Sequence, residues 1–130
     1  MTIHPDDSSP IFRQIGDHVR KAVAAGIYLP GEAIPSLRAM ALELHVNPNT
    51  VKRAYEELER SGLIEARPGV GMFVTRQGAR RAGREAEEMV TVRFQEGLQI
   101  AAESGMDPER TRDLFEGLGV ESGGQIRRTG

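Results

Sequence analysis

The polar and apolar residues that follow Pro10 are arranged in the pattern of an amphipathic helix. The apolar positions recur at three- and four-residue steps, at Ile11, Phe12, Ile15, Val19, Val23 and Ile27. This spacing places them on one helix face, which predicts a helix with Ser9 as N-cap and Pro10 as its first residue. Gly26 is expected to cap its C-terminal end, and the stretch Leu29-Pro30-Gly31-Glu32 is expected to form a turn.

Two shorter amphipathic segments follow, with only a few residues between them. Ser36 is the expected N-cap of the first segment, whose inward positions are Leu37, Met40, Ala41 and Leu44. His45 marks its end. Asn47 and Pro48 supply the cap and first turn of the second segment, whose inward positions are Val51, Ala54, Tyr55 and Leu58. Two helices joined by so tight a turn, with Ser61-Gly62 as the stop, predict a helix-turn-helix.

The pattern then changes to two short β-prone runs. Residues 63–67 and 72–75 favour strands, and Pro68-Gly69-Val70-Gly71 between them favours a hairpin loop, which would form a wing. A long helical stretch is expected from Arg76 to about Glu103. A short helix with Asp107 as N-cap is expected to end near Gly119.

These elements predict a mainly α fold with a small β-hairpin. A winged helix-turn-helix is expected over residues 8–76, and a short two-helix C-terminal region, for dimerisation or effector binding, over residues 77–120. Residues 121–130 are glycine-rich and polar, so this tail is expected to be disordered.

Composition limits the chemistry of the chain. It has no cysteine, which excludes disulfides, thiolate metal sites and cysteine nucleophiles. Its histidines, His4, His18 and His45, are scattered and have no carboxylates at metal-ligand spacing, so we expect no catalytic residue, metal or cofactor. No apolar run approaches the roughly 20 residues of a membrane span, and the polar start lacks the form of a signal peptide. We therefore expect a cytoplasmic protein that is not an enzyme and has no membrane partner.

The net charge of −2 does not favour non-specific binding to nucleic acid. Residues 1–75 contain eight Lys or Arg against nine Asp or Glu, and the rest of the chain is no more basic. Any DNA site must therefore depend on local placement. In the second helix of the helix-turn-helix, Lys52 and Arg53 precede Glu56, Glu57 and Glu59, so positive charge collects near the N-terminal end.

A helix that reads the major groove needs polar side chains on its outward face near its N-terminus. The segment from Asn47 meets this requirement, although an ordinary solvated face with an asparagine cap would look the same. Arg38 is expected to clamp a phosphate, with a surface salt bridge as the alternative. The wing glycines would allow close approach to DNA, or serve turn formation alone. The candidate DNA-binding residues are Arg38, Asn47, Asn49, Thr50, Lys52, Arg53, Arg67, Gly69 and Gly71.

The long C-terminal helix carries an apolar stripe near heptad spacing. Its members, with Ala82 at the start, are Ala86, Met89, Val90, Phe94, Leu98 and Ala101. Only one short helix follows to cover the stripe, so these residues are expected to pack against a second copy of the chain. Packing back on the winged domain is the alternative.

The order of motifs resembles the GntR family of bacterial transcription regulators. The resemblance rests on residues 10–15 (PIFRQI), 29–32 (LPGE), 34–38 (IPSLR), 46–55 (VNPNTVKRAY), 58–64 (LERSGLI) and 69–74 (GVGMFV). It implies a winged helix-turn-helix in which Arg38, Thr50, Lys52 or Arg53, and the wing around Gly71 contact operator DNA. At Pro48 some relatives have an arginine that reads a base, so their operator preference does not carry over.

The short region after Thr75 is similar to that of the YtrA subfamily, in which a small helical C-terminal region mainly dimerises. The resemblance implies a sequence-specific transcriptional regulator, expected to be a repressor, that acts as a homodimer on a pseudo-palindromic operator in double-stranded DNA. It also implies that the metal-binding effector pocket of other branches is missing. A protein-protein adaptor is the alternative function, and a small-molecule effector between the two regions stays open, because packing explains the same apolar residues equally well.

Overall fold

The computed structural model describes residues 3–4 and 8–121, with side chains through Gly119. These residues form five helices and one two-stranded antiparallel hairpin, as the sequence predicts. The elements are α1 (Ile11–Ala24), α2 (Leu37–Leu44), α3 (Pro48–Arg60), β1 (Ile64–Arg67), β2 (Gly71–Val74), α4 (Arg76–Glu103) and α5 (Pro108–Glu121). The predicted bounds of α4 are confirmed. The structure also places Glu121 in α5 rather than in the tail, whereas the tail residues 122–130 lie outside the described residues.

The start of α1 differs from the prediction by one residue. Pro10, not Ser9, is the N-cap, and no side chain caps this end. The Ser9 carbonyl instead accepts a hydrogen bond of 3.0 Å from the side-chain amide of Gln14, which also bonds the backbone of His4. Gln14 therefore ties the segment before α1 back onto the helix.

The predicted stop of α1 at Gly26 is confirmed, because Gly26 adopts a φ of +77° that favours glycine. Placing Ile27 on the apolar face of α1 was wrong. The helix ends at Ala24 and the chain turns, so that Ile27 lies beyond it with 68% of its surface exposed.

The helix-turn-helix forms as its caps predict. The Ser36 hydroxyl accepts a hydrogen bond from Ala39 N at 3.0 Å and starts α2. His45 ends α2 in the left-handed region with a φ of 57°, and α3 begins three residues later at Pro48. The Asn47 side chain then caps α3, with Pro48 at its first position. Each local signal is thus satisfied by its own neighbours.

The hairpin has one further backbone partner that the sequence did not reveal. Besides the register from Ile64 opposite Val74 to Arg67 opposite Gly71, residues 31–34 run along the other edge of β2. There Ile34 N donates to Met72 O at 2.9 Å, and Val74 N donates to Glu32 O at 3.0 Å. The turn before α2 is therefore fixed to the wing by hydrogen bonds.

The core of the winged unit lies among α1, α2, α3 and the hairpin. Its most completely buried large side chains are Ile15, Val19, Met40, Val51, Leu58, Ile64 and Val74. Their burial follows the predicted inward faces. Leu37 and Leu44, also predicted inward, are only partly buried against this core.

The start of α4 belongs to the winged unit. Ala82 is part of its core, and the Gly78 N–H donates to Thr75 Oγ1 at 2.9 Å. A Cβ at Gly78 would lie 2.6 Å from Leu63 Cα, so only glycine allows this close approach. One compact unit ends at Glu88 and the second begins at Met89, whereas the sequence places the boundary after residue 76.

The second unit contains the rest of α4, together with α5. Asp107 caps α5 as predicted, with Oδ1 accepting from Glu109 N at 2.9 Å. The rings of Phe94 and Phe115 meet edge to face, with centroids 5.5 Å apart. Ala101 is buried within the single chain.

Candidate nucleic-acid interface

The first turn of α3 presents polar groups at an exposed helix end. Asn47 Oδ1 accepts a hydrogen bond from Asn49 N at 2.7 Å, so the oxygen of Asn47 is committed to capping. The side chains of Asn49 and Lys52 are exposed, and Thr50 is partly exposed. These three therefore remain accessible near the positive end of the helix dipole.

Charge changes sign along α3 as the sequence predicts. Lys52 and Arg53 lie in its first half. Glu56, Glu57 and Glu59 lie in its second half, where Glu57 Oε1 is 3.9 Å from Arg60 Nη2. Among the described residues Lys52 and Arg53 make no ion pair. Positive charge at the start of α3 is thus left unneutralised.

Arg53 makes a contact that the sequence did not predict. Its guanidinium carbon lies 3.8 Å from the centroid of the Phe12 ring, within the range of a cation–π interaction. Phe12 belongs to α1 and is 7% exposed. Sequence patterns correctly placed Phe12 inward and Arg53 outward, but they contain no signal that pairs residues so far apart in the chain.

Arg38 is exposed in the first turn of α2. The salt bridge considered as its alternative role is not found among the described residues. The position of α2 is fixed by Tyr55 of α3, whose hydroxyl donates to Pro35 O at 2.7 Å. Burial raises the pKa of the Tyr55 phenol, so this donor keeps its proton. The bond holds the segment that leads into Ser36 and Arg38 against α3.

The wing has a narrow, exposed tip. Gly69 and Gly71 have φ values of +76° and +143°, which favour glycine, and Val70 between them is exposed. Nothing lies within 4 Å of a Cβ built on Gly69. The backbone at this end of the hairpin is therefore open to close approach.

Arg67 also lies over an aromatic ring. Its guanidinium carbon is 4.0 Å from the centroid of the Phe73 ring, and its Nη2 is 3.5 Å from a carboxylate oxygen of Glu65. Arg67 differs from Arg53 in having this carboxylate partner.

The candidate dimerisation residues fall into two groups. Met89, Val90, Phe94 and Leu98 are between 49% and 60% exposed, and Ala86 is exposed. Ala101 is already buried in the single chain, and Ala82, assigned by sequence to the same stripe, lies in the winged core. Assigning Ala82 to the stripe that packs against a second copy was therefore wrong, because its small side chain packs in the winged core. Further exposed apolar residues lie at Val92, Ile100, Leu114, Phe115 and Leu118.

The described part of the chain was also compared with the requirements of a metal site and of a membrane span. It contains no group of three His, Asp or Glu side chains that could hold a metal ion, and no helix there is both long and apolar enough to cross a membrane. Burial lowers the pKa of His18, which favours the neutral imidazole.

Known proteins are similar to this chain in sequence and in fold. The family model for bacterial regulatory proteins of the gntR family matches residues 12–74. The HTH-type transcriptional repressor YtrA of Bacillus subtilis is 30% identical over 119 residues, which cover 92% of each chain. The HTH-type transcriptional regulator YhcF of the same organism is 45% identical over 67 residues, 52% of this chain and 55% of YhcF. The chain thus matches about half the length of YhcF.

Among solved structures, a transcriptional regulator from Oenococcus oeni superposes with a TM-score of 0.70 at 28% identity, covering 91% of this chain and 96% of its own. The similarity therefore extends beyond the winged unit, as it does for YtrA. Sequence match, fold and the exposed polar start of α3 agree, and the chain belongs to the GntR family of bacterial regulatory proteins.

Proposed function

We propose that this chain is a homodimeric repressor that binds a pseudo-palindromic operator in duplex DNA. The observation that carries the proposal is the start of α3. Its Asn49, Lys52 and Arg53 are exposed, and the two cations have no carboxylate partner among the described residues. A helix end with uncommitted donors, in the second helix of a helix-turn-helix, has the chemistry of a major-groove reader.

The proposed contacts divide into base reading and phosphate binding. Asn49, Lys52 and Arg53 read base edges, because they lie on the exposed side of α3. Arg38 and Thr50 bind phosphate and supply affinity without sequence preference. Asn47 contributes mainly by capping, which fixes the first turn of α3.

In the wing, Gly69 and Gly71 bring the backbone close to the DNA, and Arg67 adds charge. Arg67 would exchange its exposed partner Glu65 for a phosphate oxygen. That exchange costs little, since exposed ion pairs contribute less than about 1 kcal/mol. The wing therefore supports the orientation of the domain more than it reads sequence.

The proposed dimer uses the exposed apolar side chains of α4 and α5. Exposed apolar patches of this kind mark interaction surfaces, and a symmetric dimer covers the same patch on both copies. Two copies would then present two α3 helices to two half-sites, and the operator would share the two-fold symmetry.

Selection of binding sites from a random duplex pool tests the proposal. The enriched site is titrated against scrambled DNA at physiological salt. We expect a two-fold symmetric site bound at least ~1000-fold more tightly than scrambled DNA. A pool without enrichment, in which affinity only collapses with salt, would contradict specific DNA binding and favour the adaptor function. A reporter gene placed downstream of the enriched site then distinguishes a repressor, which lowers its expression, from an activator, which raises it.

A further inference from the structure

We propose that Phe12 is a positioning residue for operator recognition, because its ring holds the Arg53 guanidinium in place before DNA arrives. This inference rests on the proposed function of α3. It assigns a role in specificity to a residue that does not itself contact DNA.

The geometry of the contact leaves the hydrogen-bonding capacity of Arg53 intact. The guanidinium carbon lies 3.8 Å from the ring centroid of Phe12, which is van der Waals contact distance for stacked groups. A guanidinium that rests on a ring uses its flat face and keeps its N–H donors at the edge. The donors that would face a guanine O6 and N7 therefore stay available.

The ring of Phe12 is a rigid support. Phe12 belongs to the buried core cluster of the winged unit, and α1, which carries it, packs on α3. Gly16, one turn later in α1, is also buried, and a Cβ there would lie 3.9 Å from Leu58 of α3. The two helices are thus closely packed one turn from Phe12, and this packing restricts the motion of the ring.

The charge around Arg53 leaves it without a competing partner. Arg20, Arg60, Arg81 and Arg93 each lie within 4 Å of a carboxylate. Arg53 has no such partner among the described residues, and the other cation near the Phe12 ring is Arg13, at 5.8 Å. With its guanidinium against the Phe12 ring and no carboxylate partner, Arg53 is available to an acceptor that approaches from outside.

The wing offers an internal comparison. The guanidinium carbon of Arg67 lies 4.0 Å from the Phe73 ring centroid, a similar distance, but its Nη2 is also paired with Glu65 Oε1 at 3.5 Å. Removing the Phe73 ring should therefore change phosphate contact without changing base preference. Phe73→Leu is the matched control for Phe12→Leu, since each change removes one ring beneath one arginine.

A double-mutant cycle on the selected operator tests the inference. Phe12→Leu should weaken operator binding about 2- to 10-fold, because Arg53 must then be ordered during binding. The loss should fall on discrimination at one base pair of each half-site. In an Arg53→Ala background the same change should have no further effect, whereas Phe73→Leu should lose affinity equally in both backgrounds. An equal loss from Phe12→Leu with and without Arg53, or a loss spread evenly over all DNA sequences, would overturn the proposal.

Proton NMR of the wild-type chain supplies a test that needs neither DNA nor a core mutation. The Phe12 ring current should shift the Arg53 side-chain protons upfield in the free protein, and the shift should persist on operator binding. Random-coil shifts for Arg53 would overturn the proposal even if a specific operator is found. If the shift is present but selection enriches no sequence, the failure lies in the proposed DNA function and not in the contact.

Discussion

The winged unit and the C-terminal unit place their apolar side chains in different environments. Among the described residues, sixteen of the buried apolar side chains lie in the winged unit, and only Ala101 lies in the C-terminal unit. Large exposed apolar side chains show the reverse distribution, with four in the winged unit and nine in the C-terminal unit. The winged unit buries its apolar surface within one chain, whereas the C-terminal unit leaves most of its own uncovered.

We infer from this difference that the C-terminal unit is the part of the fold that packs against another molecule. A unit whose apolar face is internal can fold alone, because burial supplies its main driving force. Phe94, Leu98 and Leu118 of the C-terminal unit are exposed, and we propose that they gain much of this driving force on association. We therefore expect winged-unit mutations to act on folding and C-terminal mutations to act on assembly.

The largest expected effect is a core truncation in the winged unit. Leu58 of α3 is completely buried, so Leu58→Ala should lower the free energy of unfolding by about 2–5 kcal/mol. The size of the loss should not depend on protein concentration. Urea unfolding at two concentrations measures it.

Leu98→Ala is the matched truncation in the C-terminal unit, where the same side chain is 60% exposed. Its cost should grow with protein concentration, because it weakens the dimer and not the single chain. A concentration-independent loss similar to that of Leu58→Ala would contradict the comparison.

A charge placed in the apolar surface of α4 should break assembly. Phe94→Glu introduces a carboxylate where a second chain would pack, so we expect a monomer and a loss of operator affinity of about 100-fold or more, as two linked half-site contacts become one. Sedimentation equilibrium and operator titration report the two effects.

Gln95→Glu adds the same charge at the next, polar position of α4 and should leave the dimer intact. If both variants dissociate equally, added charge alone is responsible, and the apolar patch is not the interface.

Two glycines of α4 test how closely its first turns pack on the rest of the winged unit. Gly78→Ala should cost about 1–3 kcal/mol, because the added methyl group would meet the backbone of Gly62 and Leu63. Gly83→Ala, with nothing within 4 Å of the new methyl group, should stabilise the helix by up to about 1 kcal/mol. Thermal unfolding of both variants gives the sign of each change in the free energy of unfolding. A stabilising Gly78→Ala would separate the first turn of α4 from the winged unit.

The smallest expected effects come from two matching helix caps. Asn47→Ala and Asp107→Ala each remove a capping oxygen in front of a proline, and each should cost about 0.5–2 kcal/mol of helix stability. They should differ in DNA binding, because only Asn47 starts the proposed recognition helix. The free energy of unfolding and the operator affinity of the two variants are measured and compared. A similar effect of both changes on affinity would argue against α3 as the reader.

Elements governed by near neighbours in the chain were predictable from the sequence. Ser36, Asn47 and Asp107 cap the helices assigned to them, and both ends of α4 are as predicted. A cap depends on residues two or three positions away, which the sequence displays directly. The candidate DNA residues of α3 were placed outward for the same reason, since helical spacing determines their face.

Features governed by distant residues were not predictable. The pairing of residues 31–34 with β2, the membership of Ala82 in the winged core and the stack of Arg53 on Phe12 each join separate elements. Periodicity gives the face of a residue but not the partner it meets. The sequence pattern likewise did not reveal that Pro10 is the N-cap of α1, or that Gln14 bonds the backbone of His4 and Ser9.

The stoichiometry of the operator complex distinguishes a dimer on two half-sites from a single bound chain. Mass measurement of the chain on the selected duplex, compared with a duplex in which one half-site is scrambled, counts the chains bound to each. We predict two chains of 14.3 kDa on the intact duplex, bound in a single step, and a large loss of affinity on the half-site duplex. One chain bound with equal affinity to both duplexes would contradict it.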